Sequence, residues 1–246
     1  MNKAVSLLEL TIVLTIIALL ITSFSSGANL LHNAKVNKVI AQSQEIISGV
    51  SAFKATYNEL PGDFSNAYRF LGGTSCASSQ AICDGDGDDL IEADSAGSNQ
   101  YEQAIAMKHL ALANIINSKC NSEESCSTID PTNITDGYVI LSEINNSVIL
   151  ARFYNNVQSQ QWGNIGLNYL QIGAKKSNGY LDDPFLRPTY AEKIDRKLDD
   201  AVAGTGIVTP HSGHGTCCVG DNCNTGNYKL TSDDILCGIV YGFGAF

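Results

Sequence analysis

Val5-Ser6-Leu7-Leu8-Glu9-Leu10-Thr11-Ile12-Val13-Leu14-Thr15-Ile16-Ile17-Ala18-Leu19-Leu20-Ile21-Thr22-Ser23-Phe24 is an almost unbroken apolar run that carries one carboxylate. Coiled as an α-helix, a run of about twenty residues crosses the roughly 30 Å hydrocarbon core of a bilayer. Glu9 is the informative residue. A carboxylate in hydrocarbon costs on the order of 3 kcal/mol by insertion scales and calls for a partner of opposite charge. A secretory signal cut at Ser23, Ser25 or Ala28 has no use for such a group. The run therefore reads as a retained membrane helix.

Helical spacing continues beyond it. Val36, Val39, Ile46, Val50, Phe53 and Tyr57 form one stripe, with Lys35, Lys38, Gln42, Gln44 and Glu45 facing elsewhere. Run and stripe together predict one helix of some fifty residues, about 80 Å long, half in lipid and half under a soluble head. Ser25-Ser26-Gly27, between the halves, is expected to bend or melt locally, because glycine costs about 1 kcal/mol in a helix and Ser/Gly pairs mark kinks. Tyr57-Asn58-Glu59-Leu60-Pro61-Gly62-Asp63 then ends the helix by turn chemistry.

The whole chain agrees with this division. Its 246 residues are 44% hydrophobic and 16% charged, with a net charge of −10, which excludes wholesale disorder and a broad basic face for nucleic acid. Eight cysteines, Cys76, Cys83, Cys120, Cys126, Cys217, Cys218, Cys223 and Cys237, all follow the long helix. Their close spacing points to disulfides in an oxidising compartment. Cys76 with Cys83 and Cys120 with Cys126 are the natural local pairs. The last four cysteines stay unpaired on paper, except that neighbouring Cys217 and Cys218 are not expected to bond each other. A zinc site from His211, His214, Cys217, Cys218 and Cys223 is the rival reading, disfavoured by irregular spacing and by the oxidising setting. Lys3 and the terminal amine face Lys35 and Lys38 in a near draw by charge, so the cysteines place the head outside.

In the head, 100–117 reads as a second helix with Ile105, His109, Leu112 and Ile116 on one stripe. His109 there is a packing histidine before it is a ligand or base. Residues 138–142 and 148–154 read as a hairpin, 165–172 and 235–243 as further strands, and 191–203 as a short polar helix. The fold class is α+β: a long N-terminal helix packed on an antiparallel sheet. One loop looks built for a ligand, Asp84-Gly85-Asp86-Gly87-Asp88-Asp89-Leu90-Ile91-Glu92. Alternating carboxylates on a glycine-rich backbone suit calcium, with side-chain oxygens from Asp84, Asp86 and Asp88, the Leu90 carbonyl, and Glu92 as a further acid. Asp89 stands where an EF-hand loop wants glycine, and Ser95 where it wants its bidentate acid. Cys76 and Cys83 would pin the front of this loop.

Lys3, Ala4 and then Ser6-Leu7-Leu8-Glu9-Leu10 ahead of an apolar helix resemble the class III signal of type IV pilins and type II secretion pseudopilins. The resemblance implies a four-residue leader (1–4), a cut between Ala4 and Val5 by prepilin peptidase, and methylation of the new amine. It implies a helix over 5–57, transmembrane over 5–24, and an extracytoplasmic head over 58–246. It gives Glu9 a partner, the terminal ammonium of a neighbouring Val5 inside a filament of this and other pilin subunits. The bacterial inner membrane would hold the subunit before assembly into a periplasmic or cell-surface filament. Ala4 replaces the usual Gly and Val5 the usual Phe. The head is also similar to a pilin-like subgroup that runs Tyr-Asn-x-Leu-Pro-Gly-Asp, an Asp/Gly-rich loop and a helix with His-Leu. These fall here at Tyr57 to Asp63, Asp84 to Asp89 and His109-Leu110, followed by Ile194-Asp195-Arg196-Lys197-Leu198-Asp199-Asp200. No activity comes with that likeness. Of the alternatives, an anchored enzyme lacks any Gly-x-Ser-x-Gly, His-Glu-x-x-His, phosphate loop or dinucleotide fingerprint. An adhesive tip is compatible with a filament role.

Overall fold

The computed structural model describes residues 6–77, 79–91, 102–116, 138–144, 147–154, 168–174, 183–211, 217–221, 223 and 226–243. Ala4 and Val5, Glu92, Cys120 and Cys126, and His214 lie outside them. The long helix α1 is Leu7–Tyr57. Ser6 stands at its N-cap in extended conformation, and the Glu9 carboxylate turns back to accept the Ser6 N–H at 3.0 Å. This is the returning half of a capping box, written as Ser6-x-x-Glu9. At the other end Asn58 takes a left-handed φ of 62° and donates its N–H to the Lys54 carbonyl at 2.8 Å. Asparagine tolerates that conformation better than most residues, so the helix stops at Tyr57 with Asn58 as its cap.

The expectation of local melting at Ser25-Ser26-Gly27 needs correcting. The helix runs without a break through Ser25-Ser26-Gly27. A lone glycine weakens a helix by about 1 kcal/mol without removing a backbone N–H or carbonyl, which the rest of a long helix outweighs. Among the described residues no helix is long and apolar enough to cross a membrane, and the expected span over 5–24 lies partly outside the described side chains. The side chains described there run from Leu7 to Ile21, about 22 Å of helix against a core of roughly 30 Å, and include Glu9, Thr11 and Thr15.

What separates the two halves of α1 is burial. Leu7, Leu8, Leu10, Leu14, Leu19 and Leu20 are exposed, Leu7 to 81%. Val36, Val39, Ile40, Ile46, Val50 and Phe53 are buried in the head core. The predicted stripe is the packing face. Residue Ser43 also lies on it, and donates its hydroxyl to the Val39 carbonyl at 2.6 Å.

The sheet has strands β1 (Tyr138–Ile144), β2 (Ser147–Tyr154), β3 (Asn168–Ala174), β4 (Val208–His211) and β5 (Gly238–Phe243). They lie in the order β1-β2-β3-β5-β4, every neighbour antiparallel. Register aligns Phe153, Leu170, Tyr241 and Val208 in one buried row, and Tyr241 hydrogen-bonds Ser43, so this row faces α1. The strand β4 was not foreseen from sequence because it contains Pro210. Proline lacks the N–H a central strand needs, but β4 is an edge strand.

Among the described residues the head has four further helices: α2 (Ala67–Phe70), α3 (Gln80–Cys83), α4 (Glu102–Leu112) and α5 (Pro188–Leu198). Helix α4 is shorter than the 100–117 expected. Asn114, with φ 55°, turns the chain left-handed, and the N–H groups of Ile115 and Ile116 fold back onto the Leu110 carbonyl. Helix α5 starts and ends earlier than 191–203, since Pro188 suits a first helical turn and Ala201 takes φ 66°. Among the described residues three disulfides join Cys76 to Cys83, Cys217 to Cys237 and Cys218 to Cys223, and no cysteine is free.

Candidate functional site

The turn that ends α1, the acidic loop and α4 meet at one joint. Gly62 takes φ 93°, and any Cβ there would stand 2.6 Å from the Glu102 carbonyl, so only glycine lets the turn press on α4. Gly85 is packed as tightly, its Cβ position 2.4 Å from Asp63 backbone atoms. These two contacts set Asp63 beneath the loop. Its buried carboxylate accepts three successive backbone N–H groups: Gly87 at 2.6 Å and Asp88 at 3.0 Å on Oδ1, and Asp89 at 2.8 Å on Oδ2. Burial pushes the Asp63 carboxyl up to about 7, against the three hydrogen bonds that favour its anion and with the Asp88 charge adding to the rise.

His109 closes the joint from the other side. Its Nδ1 accepts the Gly62 N–H at 2.9 Å, which leaves the ring proton on Nε2, 3.0 Å from the Cys83 carbonyl it donates to. The same Nε2 is 3.5 Å from Cys76 Sγ. Complete burial drives the imidazole down to about 3, opposed by the Cys83 hydrogen bond and helped by the Lys108 charge. Neutral, with both nitrogens committed, His109 offers no lone pair to a metal and no base to a substrate. His109, Cys76 and Cys83 have the types and proximity of a zinc triad. A metal on Nε2 would force the proton onto Nδ1, against the Gly62 N–H. The disulfide is the better use of these sulfurs.

Within the acidic loop, Asp63, Asp86 and Asp88 each bring one oxygen within 4.8 Å of the others, Asp63 buried and the other two exposed. Converging carboxylates with one buried member are a donor set for a hard divalent cation. Asp84 is not among them. Its two oxygens accept the Tyr68 N–H at 2.7 Å and a Gln80 side-chain N–H at 2.8 Å, so it fixes α2 and α3. Leu90 donates its N–H to Asp88 Oδ1 at 2.9 Å. The Asp86 N–H reaches Glu102 Oε1 at 3.2 Å, and Lys54 pairs with Asp89 at 2.7 Å. The tail of the loop is tied to β3, where Asn168 accepts the Ile91 N–H at 2.8 Å and donates to the Asp89 carbonyl at 3.0 Å. Sequence reading therefore found the loop and two of its acids but missed Asp63 and Glu102. Asp63 was hidden as an ordinary residue of a Pro-Gly turn.

A second acidic group, Asp195, Asp199 and Asp200, closes α5. These carboxylates serve the backbone. Asp195 accepts the Tyr228 hydroxyl at 2.7 Å and the Ala201 N–H at 3.0 Å, Asp199 the N–H groups of Ile207 and Val208, and Asp200 the Val202 N–H and the Thr205 hydroxyl. Burial raises Asp195 to about 6 and, with the Asp195 charge, raises Tyr228 as well. Of the zinc residues considered from sequence, Cys217, Cys218 and Cys223 are all in disulfides and His211 is buried on β4. Glu9 sits in the exposed half of α1, bonded to the Ser6 N–H. Comparison with protein-family models, with curated proteins and with solved structures finds no match.

Proposed function

We propose that the chain is a structural subunit of a bacterial filament of the type IV pilus or type II secretion pseudopilus kind, assembled through the first half of α1. What supports this is the unequal treatment of one continuous helix. The head core takes only the stripe from Val36 to Phe53, while the apolar side chains from Leu7 to Ile21 stay outside it. An exposed apolar rod continuous with a folded head must be covered by lipid or by other subunits. In this reading prepilin peptidase cuts after Ala4, the inner membrane holds the subunit with its head outside, and rods from successive copies then pack together. Glu9 pairs there with the Val5 ammonium of a neighbour, since an unpaired carboxylate among apolar side chains is costly.

The test is the intact mass of membrane-extracted protein. Loss of Met1 to Ala4 with one added methyl group is the expected result. A cut near Ser25 would remove the rod and end the proposal.

The acidic joint is proposed as a calcium site held by Asp63, Asp86 and Asp88. Its support is the convergence of the three carboxylates on a loop braced at both ends. Calcium should raise the melting temperature, and Asp86→Ala should abolish that rise. No rise in the unmodified chain would remove the site.

A further inference from the structure

The acidic loop is held from two directions. Asp63 grips its middle through three N–H groups. Its front is gripped through the Cys83 carbonyl, which His109 Nε2 holds, and through the bond from Cys83 to Cys76. Cys76, Cys83 and His109 are all fully buried, and His109 Nδ1 simultaneously positions Gly62, the residue before Asp63. The disulfide is therefore one piece with both supports of the loop. Cut it, and the front of the loop loses its covalent tie to Cys76 and is left to hydrogen bonds alone: His109 on the Cys83 carbonyl, the Tyr68 and Gln80 N–H groups on Asp84, and the Gly85 N–H on the Phe64 carbonyl, which then carry the close fit of Gly85 on Asp63.

We infer that the Cys76–Cys83 disulfide and His109 act as a one-way redox latch that shapes the acidic loop, so that the loop becomes competent for a divalent cation only after these thiols are oxidised. The cation clause rests on the calcium reading above; the latch clause does not. In closing, one thiolate of the pair attacks the sulfur–sulfur bond of a disulfide oxidant, oxidised glutathione in the tube, and releases one glutathione thiol. The second cysteine displaces the other from the mixed disulfide, so the protein gives up two electrons and two protons and two glutathione molecules are reduced. Once shut, the bond lies beneath α4 and beyond a reductant's reach, whereas the Cys218–Cys223 bond has the partly exposed Cys223. Reopening requires the loop to leave Asp63 first.

Three forms of the full chain in detergent micelles test this: unmodified, C76A/C83A, and C218A/C223A as a disulfide-loss control. Amide exchange at Gly87, Asp88 and Asp89 should quicken at least about tenfold in C76A/C83A only, with amides in 46–57 unchanged. Calcium titration should show affinity falling about tenfold in the same variant and in no other. Should C76A/C83A fail to fold, the unmodified chain is equilibrated in glutathione buffers of graded potential and trapped by alkylation. Exchange at the three amides should rise in step with loss of Cys76–Cys83, and calcium should protect that bond and not Cys218–Cys223, as reciprocal linkage demands. Unchanged exchange in C76A/C83A, equal acceleration in both variants, or loop protection that outlasts the bond would each overturn the latch. Calcium binding by neither the unmodified chain nor a variant, with exchange behaving as expected, would leave the latch standing and remove the cation reading instead.

Discussion

His109 Nδ1 accepts the backbone N–H of Gly62 across 2.9 Å, and that one bond joins the turn ending the long helix to the centre of α4. Because the opposite nitrogen serves the Cys83 carbonyl, the ring is a neutral strut between two backbone groups that have no water to turn to. Replacing it with phenylalanine keeps most of the volume and strands both groups. At about 1–3 kcal/mol for each buried unsatisfied group, His109→Phe should cost about 2–6 kcal/mol in denaturant unfolding. A loss below about 1 kcal/mol would show that the strut carries no weight.

The same residue sets an acid sensitivity. The folded chain keeps His109 neutral down to about pH 3, whereas an ordinary histidine takes a proton near 6.5. Its folded value lies below its unfolded one, so the unfolded state binds the extra proton, and stability falls as pH drops through this window. The slope from this residue is about 1.4 kcal/mol per pH unit. Unfolding free energies from pH 7 to 4 should show it, and His109→Phe should flatten the curve while lowering it overall.

Asp195 works in the opposite direction. Its carboxyl is raised to about 6 from an ordinary 3.8, so the folded chain holds the proton more tightly, and this contribution to stability is full below 3.8 and lost as pH rises through 6. Tyr228→Phe removes the hydroxyl that favours the anion. The variant should be destabilised by about 1–2 kcal/mol at neutral pH and by less at pH 4, where the carboxyl is protonated. An equal loss at both pH values would mean the hydroxyl does not distinguish the two forms of Asp195.

Asp84 and Asp86 separate structure from cation binding within one loop. Asp84 holds Tyr68 and Gln80, so Asp84→Ala should lower the melting temperature with or without calcium. Asp86 has its carboxylate exposed beside Asp63 and Asp88, so Asp86→Ala should lower the melting temperature in chelator less than Asp84→Ala does and remove the calcium increment. Melting curves of the two variants in calcium and in chelator decide the matter, and matching behaviour would dissolve the distinction.

How far residues speak for themselves depended on how local their partners are. The stripe from Val36 to Phe53 was legible because helical period and burial share a cause. Cys76–Cys83 was legible because seven positions separate its members. The four later cysteines were not, since Cys217 reaches across to Cys237 while its neighbour Cys218 turns to Cys223, a choice made by the fold. The acidic loop announced itself by composition, but Asp63 comes from a turn twenty-four residues before Gly87, and nothing local marks it as the loop's anchor. Asp84 misled because a carboxylate beside others looks like a ligand until its hydrogen bonds are known. Pro210 hid β4 because the rule against proline in strands gives way at a sheet edge.

Glu9 offers the sharpest separation of a subunit's own stability from its assembly. Within one chain its carboxylate accepts the Ser6 N–H, at an exposed helix start where such a bond contributes about 0.5–1 kcal/mol. Glu9→Leu should therefore leave the head's unfolding midpoint almost where it was, because the head core begins near Val36. In a filament the same carboxylate would lie among the apolar rods of neighbouring copies, its charge balanced by an ammonium from another chain, and its removal would leave that ammonium buried and alone at a cost of about 3–5 kcal/mol per subunit. A loss repeated at every subunit interface is enough to block growth, so Glu9→Leu should fold, reach the membrane and fail to polymerise, while Glu9→Asp should polymerise weakly. Sedimentation and electron microscopy of sheared cell-surface material give the outcome directly. Filaments of normal length and subunit spacing from Glu9→Leu would mean that its only role is the helix cap seen in the single chain.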